Sequence, residues 1–397
     1  MSQIRANFLK HMAQTSPFPL MLDVVKAEGV YLYDREGKKY VDMISGIGVS
    51  SLGHCHPKVV EAVQKQAATY MHTMVYGEYL LGPQIELATL LAQHLPDTLN
   101  STYFVNSGTE ATEGAMKLAK RYTGRAKFIS CINAYHGSTQ GSISLMSDPT
   151  WTTPFRPLLP NIHHIDFNCE YCLHKIDKDT AGVIVETVQG EWGVRKPNPI
   201  FLKALRQRCT EVGALLIFDE IQAGMGRTGS LFAFEQYDVV PDVLLLAKGL
   251  GGGMPIGAFI SDQKILQSFA EDPILGHITT FGGHPVSCAA ALATLKELTE
   301  SDLISKVSNK ATLIVSSLQD HPLVLDIRNA GLMMAVELDS FERVQKVIYH
   351  CLENGVVVDW FLFNDRSLRL APPLVISEEE LEKTLKVIKA GLDVAGE

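Results

Sequence analysis

From Tyr103 onward, short apolar runs alternate with stretches of helical spacing: Tyr103–Val105, Lys127–Cys131, Val183–Val185, Ala214–Phe218, Val243–Leu246 and Ala258–Ile260. Runs of this length and branching read as buried strands, and the stretches between them as crossover helices. That rhythm predicts βαβ units and a mainly parallel sheet. Upstream, Val30 and Leu32 alternate towards Arg35–Gly37, and Tyr40, Val41 and Met43 continue beyond it, as in a hairpin. Pro57 stands where a helix starts, with Val59, Val60, Val63 and Ala67 on one face. Ile85, Ala88, Leu91 and Ala92 make another such face. Ile4, Phe8, Leu9 and Met12 form a helical stripe that needs cover, from the chain's own core or from a partner subunit. Towards the C-terminus the rhythm changes. Val324–Ile327, Leu332–Leu338 and Val356–Asp359 read as strands, Phe341–Glu353 as a helix, and Ser377 with Glu380 as the capping box of a last helix. The expected organisation is a large α/β domain over residues 50–290, with a smaller α+β domain built from 1–49 and 291–397.

Composition narrows the classes of function. A chain of 397 residues can hold two or three domains. Its net charge of −9, with no lysine–arginine run, leaves no footprint for nucleic acid. No apolar stretch approaches the roughly 20 residues that cross a bilayer. The opening M-S-Q-I-R-A-N-F-L-K-H-M lacks the apolar core of a signal peptide. Seven scattered cysteines suit reduced thiols better than a disulfide framework. The expectation is a soluble cytoplasmic protein with neither nucleic-acid nor membrane partner.

Candidate chemistry gathers where two apolar runs end. Ala214–Phe218 delivers Asp219 into D-E-I-Q-A-G-M-G-R-T-G, and Val243–Ala247 delivers Lys248 into A-K-G-L-G-G-G. Ligands of open α/β sheets collect at such carboxyl ends. A lysine there loses solvation and becomes a nucleophile able to form a Schiff base with an aldehyde. Asp219 by itself reads equally as a helix cap or a structural ion pair. S-G-T-E at Ser107–Glu110 opens a helix, which makes it either an anion site or a plain capping box. Arg369, between leucines in S-L-R-L-A-P-P-L, needs a partner, and its fork of donors suits a carboxylate.

D-E-I-Q-A-G-M-G-R-T-G followed by A-K-G-L-G-G-G resembles the signature of the class III, pyridoxal-phosphate-dependent aminotransferases, and the resemblance covers nearly the whole chain. It implies the fold type I architecture of these enzymes, with a mainly parallel seven-stranded sheet in the large domain and a smaller α+β domain. It also implies a homodimer with shared active sites, acting on a small-molecule amino donor and a 2-oxo acid. Lys248 would be the Schiff-base lysine and proton shuttle, and Asp219 the partner of the pyridinium nitrogen. Gln222 would reach the phenolic oxygen. Ile221 and Tyr135, the latter with His136 in A-Y-H-G, would flank the ring. Ser107, Gly108 and Thr109 would take the phosphate, joined by Thr280 from the neighbouring subunit, and Glu186 would stand behind the cofactor. Arg369 would bind the α-carboxylate of glutamate and 2-oxoglutarate, pairing with Glu191 when an ω-amine donor is bound. Three positions depart from the acetylornithine- and ornithine-type pattern. Ser138 stands in H-G-S-T where arginine is common, Phe18 where tyrosine is common, and Trp192 where glycine is usual, which would narrow the pocket mouth.

Rival readings rest on weaker signals. Gly224–Gly229 fits G-x-G-x-x-G, but D-E-I-Q-A separates it from its strand and no acidic residue follows about 20 positions on, so a nicotinamide-dependent oxidoreductase is disfavoured. Cys169-x-x-Cys172 with His163, His164 and His174 offers a single pair where a zinc site wants two. His54 and His56 read as turn residues, and no metal is expected. A non-catalytic binding protein would not need Lys248 and Asp219. A racemase, decarboxylase or aminomutase on the same fold stays open.

Overall fold

The stretches Thr180–Glu186 and Leu215–Asp219 are buried at every position. Strands apolar on both faces belong in the middle of a sheet covered by helices. The structure, a computed structural model describing residues 3–397, places them there. Its large sheet contains β1 (Ser101–Val105), β2 (Lys127–Cys131), β3 (Ile162–Ile165), β4 (Thr180–Glu186), β5 (Leu215–Asp219), β6 (Val243–Leu246) and β7 (Gly257–Ser261). Their order is β1-β7-β6-β5-β4-β2-β3. Strands β2 to β6 run parallel, while β7 lies antiparallel to both β6 and β1. The sheet is mainly parallel and seven-stranded, as expected. Edge strand β3, Ile-His-His-Ile, escapes the apolar pattern because two histidines interrupt it. Helix α1 (Gly108–Thr123) follows β1, burying Ala111, Ala115, Leu118 and Ala119. Helix α2 (Pro199–Val212) joins β4 to β5.

Two four-stranded sheets are drawn from outside this region. One orders Val24–Glu28, Tyr31–Asp34, Lys39–Asp42 and Val356–Val357; the other orders Asp326–Ala330, Met333–Glu337, Ser367–Leu370 and Asp359–Trp360. The hairpin turning near Arg35–Gly37 is present, but the expected strand Val356–Asp359 is divided between the sheets. Val356 and Val357 pair in parallel with Val41 and Asp42, whereas Asp359 pairs across from Arg369. Three consecutive valines carry no alternation that could mark this break. The strand expected at Val324–Ile327 begins later, at Asp326. The helix Phe341–Glu353 and the Ser377–Glu380 capping box form as expected.

Arg227, wholly buried in the glycine-rich loop after β5, donates to the carbonyls of Leu332 and Pro372 and so pins that loop to the second small sheet. Burial lowers its pKa to about 10. The N-terminal helix Gln3–His11 buries none of its residues, so the chain's own core does not cover its apolar stripe. Reduced thiols were expected throughout; instead Cys169 and Cys172 are joined in a disulfide, their Cα atoms 5.4 Å apart across a turn closed by the Cys172 N–H donating to the Cys169 carbonyl. Those two sulfurs are therefore bonded to each other. Among the described residues, no helix is long and apolar enough to cross a membrane.

Candidate active site

Three parallel strands end level with one another. Glu186 closes β4 and sits in register with Asp219 at the end of β5, which is in register with Leu245 of β6. Lys248 follows two residues beyond β6, with its backbone at φ +40°. A non-glycine residue in this left-handed region is strained, and such strain concentrates at functional sites. These strand ends floor a cavity of about 490 Å³. Its walls come from the start of α1, from the loop after β2 and from Gly253–Ile256 ahead of β7.

The start of α1 is shaped for a ligand. Ser107 caps the helix by accepting from the Glu110 N–H. The capping box is only half made, since the Glu110 carboxylate reaches back to the N–H of Asn106, at 2.7 Å, rather than to that of Ser107. Helix geometry leaves the Gly108 and Thr109 N–H groups without intrahelical acceptors, at the positive end of the helix dipole. Glycine at 108 lets Ile221 close over the helix start, since a Cβ there would lie 2.9 Å from Ile221 Cδ1 and push it aside. Gly190 makes room for Gln222 in the same way: a Cβ would come within 1.8 Å of Gln222 Oε1 and displace it.

Alternation along β5 separates the D-E pair. Asp219 faces the cavity, while Glu220 points away to accept from the N–H groups of Ala233 and Phe234 and the hydroxyl of Thr187. Asp219 is held by His136 Nδ1 at 2.7 Å and by the Ile221 N–H at 3.0 Å. The His136 Nε2 is buried and makes no hydrogen bond among the described residues. Glu186 accepts from the N–H groups of Tyr135 and Gly190. Burial pushes its pKa up to about 7, His136 pulling it down and Asp219 pushing it further up. Burial also lowers the pKa of Lys248; Glu191 opposes the shift and Arg369 reinforces it. An amine so placed is more readily neutral than one in water, and hence a better nucleophile and base.

At one end of the cavity stands an ion-pair cluster. Arg369 Nη2 donates to Glu191 Oε2 at 2.7 Å and to the Trp360 carbonyl at 3.0 Å, and its guanidinium lies over the Phe361 ring. Glu191 also accepts from the Leu362 N–H. Burial works to raise the pKa of Glu191, but Arg369 and Lys248 outweigh it and the result lies below the usual carboxylate value. A second carboxylate, Asp359, sits 3.3 Å from Arg369 Nε. Sequence reasoning missed it, although an aspartate in the apolar run V-V-V-D-W-F-L-F was a visible anomaly.

The structure thus brings Ser107, Gly108, Thr109, Tyr135, His136, Ser138, Glu186, Glu191, Asp219, Ile221, Gln222 and Lys248 to one cavity, with Arg369 bonded to its rim through Glu191. Ser138 is exposed, its hydroxyl 2.9 Å from that of Tyr135. Three predicted residues lie elsewhere. Trp192 lines a separate depression, with the Arg195 guanidinium over its ring. Phe18 is 52% exposed, and Thr280 is exposed with its carbonyl accepting from His72.

The family model described as aminotransferase class-III matches residues 12–392. Acetylornithine aminotransferase of Methanopyrus kandleri is 44% identical and covers 97% of each chain. Putrescine aminotransferase of Pectobacterium atrosepticum is 40% identical over 90% of this chain and 79% of its own. Among solved structures, the ornithine aminotransferase of Toxoplasma gondii superposes with a TM-score of 0.90 at 30% identity, over 99% of this chain and 94% of its own. A transaminase from a marine Virgibacillus reaches 0.92 at 27% identity, over 100% and 99%. With the strand-end lysine, the carboxylate beside it and the helix start all facing one cavity, these matches show that the chain belongs to the class III aminotransferases, which use pyridoxal phosphate.

Proposed function

We propose that the protein moves an amino group from the terminal amine of an ornithine-, acetylornithine- or related ω-amino donor to 2-oxoglutarate, forming glutamate. The observation that carries this reading is a half-buried lysine with lowered basicity, sharing one cavity with the Glu191–Arg369 pair. The residues present fit the cofactor. The start of α1, through Ser107, Gly108 and Thr109, suits a phosphate. The apolar Ile221 and the ring of Tyr135 suit the two faces of a planar heterocycle. Asp219 suits a protonated ring nitrogen, Gln222 a phenolic oxygen, and Lys248 an aldehyde carbon.

Bound pyridoxal phosphate supplies an electrophilic carbon and a ring that accepts the electron pair left when a carbon–hydrogen bond of the donor breaks. His136, donating to Asp219, fixes the carboxylate that would meet the ring nitrogen, and Glu186 fixes the loop carrying Tyr135. Lys248 Nζ would hold the cofactor's aldehyde carbon and, once free, would take and return the proton of the donor's amine-bearing carbon. With Glu191 on Arg369, the cavity accepts a donor through its terminal amine. With Glu191 turned away, Arg369 binds the α-carboxylate of 2-oxoglutarate or glutamate. Ser138 meets the far end of the donor with a hydroxyl rather than a cation, which favours a donor whose distal end is not anchored there by an ion pair.

The same reading includes a homodimer, with Thr280 serving the partner's phosphate site. Exposed apolar residues near Thr280, among them Met71, Leu80, Ile278 and Phe281, support it, since such a patch calls for cover. Residues 50–290 as the cofactor-binding unit and a cytoplasmic location belong to this proposal too. The test is the visible spectrum of the protein with pyridoxal phosphate. A new band bleached by glutamate and restored by 2-oxoglutarate is expected, and the amine that bleaches it fastest identifies the donor. A band indifferent to glutamate would overturn the acceptor assignment.

A further inference from the structure

The turn after β3 joins an exchangeable bond to the loop that carries Glu191. The disulfide between Cys169 and Cys172 closes this turn, and two backbone bonds support it: Cys169 N–H to the Asp166 carbonyl and Cys172 N–H to that of Cys169. Cys172 is buried, whereas Cys169 is partly open to solvent at the edge of the large sheet. A thiolate arriving from solvent therefore meets Cys169 first. Asp166 Oδ2 lies 3.7 Å from Cys172 Sγ. A carboxylate this close disfavours a thiolate on Cys172, and a poorer leaving group slows the opening of the bond. Under the proposed cytoplasmic location such a bond is of the transient, redox-sensing kind rather than a structural one.

The residue before the first cysteine fastens this turn to the Glu191 loop. Asn168, at φ +65°, donates from Nδ2 to the Lys196 carbonyl at 3.1 Å and accepts at Oδ1 from the Asn198 N–H at 2.7 Å. Beside it, Phe167 meets Phe201 of α2 edge-on, with ring centroids 5.8 Å apart. Lys196 follows Arg195, whose N–H and carbonyl pair with the carbonyl and N–H of Gln189 at 2.9 and 3.0 Å. That pair closes a loop, and Glu191 stands inside it. The locked turn holds Asn168, Asn168 holds the base of the loop, and from the loop Glu191 reaches Arg369.

We propose that Cys169 and Cys172 form a thiol–disulfide exchange site whose state sets how readily Glu191 leaves Arg369. This rests on the reading of Glu191 and Arg369 as the pair that opens for a carboxylate. The co-reactant is a low-molecular-weight thiol. Its thiolate attacks Cys169 Sγ, a new S–S bond forms there, the bond to Cys172 breaks, and Cys172 leaves as a thiolate that takes a proton from solvent. A second thiol cleaves the mixed disulfide. The protein thereby gains two electrons and two protons, and the two small thiols become one disulfide. With the protein bond closed, Glu191 stays on Arg369 and the cavity serves the terminal amine. With it open, the base of the loop loosens, Glu191 turns away more readily, and the carboxylate of glutamate gains Arg369.

The experiment equilibrates the holoenzyme with graded ratios of reduced and oxidised glutathione. Alkylation of Cys169 and Cys172 is read by peptide mass after acid quenching, and kcat/KM for glutamate and for an uncharged primary amine is measured on desalted samples. Both cysteines are expected to pass reversibly from blocked to alkylated as the ratio turns reducing. Over the same range kcat/KM for glutamate should rise about fivefold or more, the scale of coupling between linked sites, while the amine value stays. Cys169→Ser combined with Cys172→Ser should show the reduced value at every ratio. Asn168→Ala should still exchange its thiols but no longer pass the change to glutamate. Cysteines that stay blocked, or stay free, at every ratio overturn the exchange site. Reversible exchange in wild type with an unchanged glutamate-to-amine ratio overturns the coupling, and an Asn168→Ala protein with the wild-type response overturns its route. Should the variants fail to fold, the wild-type alkylation and ratio decide. Glutamate unreactive at every ratio would instead fell the carboxylate reading of Arg369 and the coupling with it, and alkylation alone would then judge the exchange.

Discussion

The cofactor half of the cavity and its carboxylate half are assembled over different spans of chain. Asp219, Ile221 and Gln222 come from one tetrapeptide at the end of β5, and Lys248 follows the next strand in the sheet. Backbone hydrogen bonds of a single buried sheet set their spacing. The Glu191–Arg369 pair joins residues 178 apart in sequence, and Asp359 reaches it from a sheet separate from the one bearing Asp219. The first half is tied down by hydrogen bonds: Asp219 by His136 and the Ile221 N–H, Glu186 by the Tyr135 and Gly190 N–H groups. The second is a crowded set of charges between a loop and a strand, with Glu191 and Asp359 both set against Arg369. Such a set suits the proposed binding of a terminal amine and of an α-carboxylate in turn.

Removing the lysine breaks the cofactor half most severely. Lys248→Ala is expected to cut turnover by at least roughly 10²–10⁴-fold, the contribution of a positioned acid–base group, while leaving the melting curve of a folded protein. Turnover near wild type would sink the assignment. Arg369→Leu strips the cation from two buried carboxylates, and kcat/KM for glutamate should fall on the order of 10²-fold. An uncharged amine should be affected far less, and equal losses for both substrates would erase the distinction between the halves. Gly190→Ala probes their junction, because its Cβ would displace Gln222. Overpacking of this kind costs about 1–3 kcal/mol, so pyridoxal phosphate should bind roughly tenfold more weakly, as fluorescence titration would show.

The smallest effect on catalysis is expected from Glu220→Gln, which sharpens the comparison through stability. Burial raises the pKa of Glu220 from its ordinary 4.5 to about 7, against the pull of the Ala233 and Phe234 N–H groups and the Thr187 hydroxyl. The folded protein therefore holds this proton more tightly than the unfolded chain. The resulting stability is fully present below about pH 4.5 and is lost as pH rises through about 7. In that window the slope is at most about 1.4 kcal/mol per pH unit. Denaturant melts of Glu220→Gln should show a flatter slope than wild type, and an unchanged slope would exclude Glu220 as its source.

How much of this was legible depends on the range of the interactions. Lys248 and Asp219 could be picked out because the strand, its terminal residue and the glycine-rich turn are contiguous in sequence. His136 was placed near the cofactor only through the A-Y-H-G resemblance; its contact with Asp219 links β5 to the loop after β2. Trp192 lines a depression beside Phe167 and Arg328, and it is the fold rather than the G-E-W-G motif that brings those residues together.

By itself, then, the amino-acid order determined the alternation of strand and helix, the parallel sheet and the residues at its carboxyl ends, since period and local propensity act over a few residues. Only the tertiary structure decided that Val356–Asp359 divides between two sheets and that Asp359 faces Arg369. It also decided that Glu191 closes the ion pair from a remote loop. The reason is physical: a buried charge is settled by whatever partner the packed chain brings within hydrogen-bond reach, and that partner can lie at any distance along the sequence.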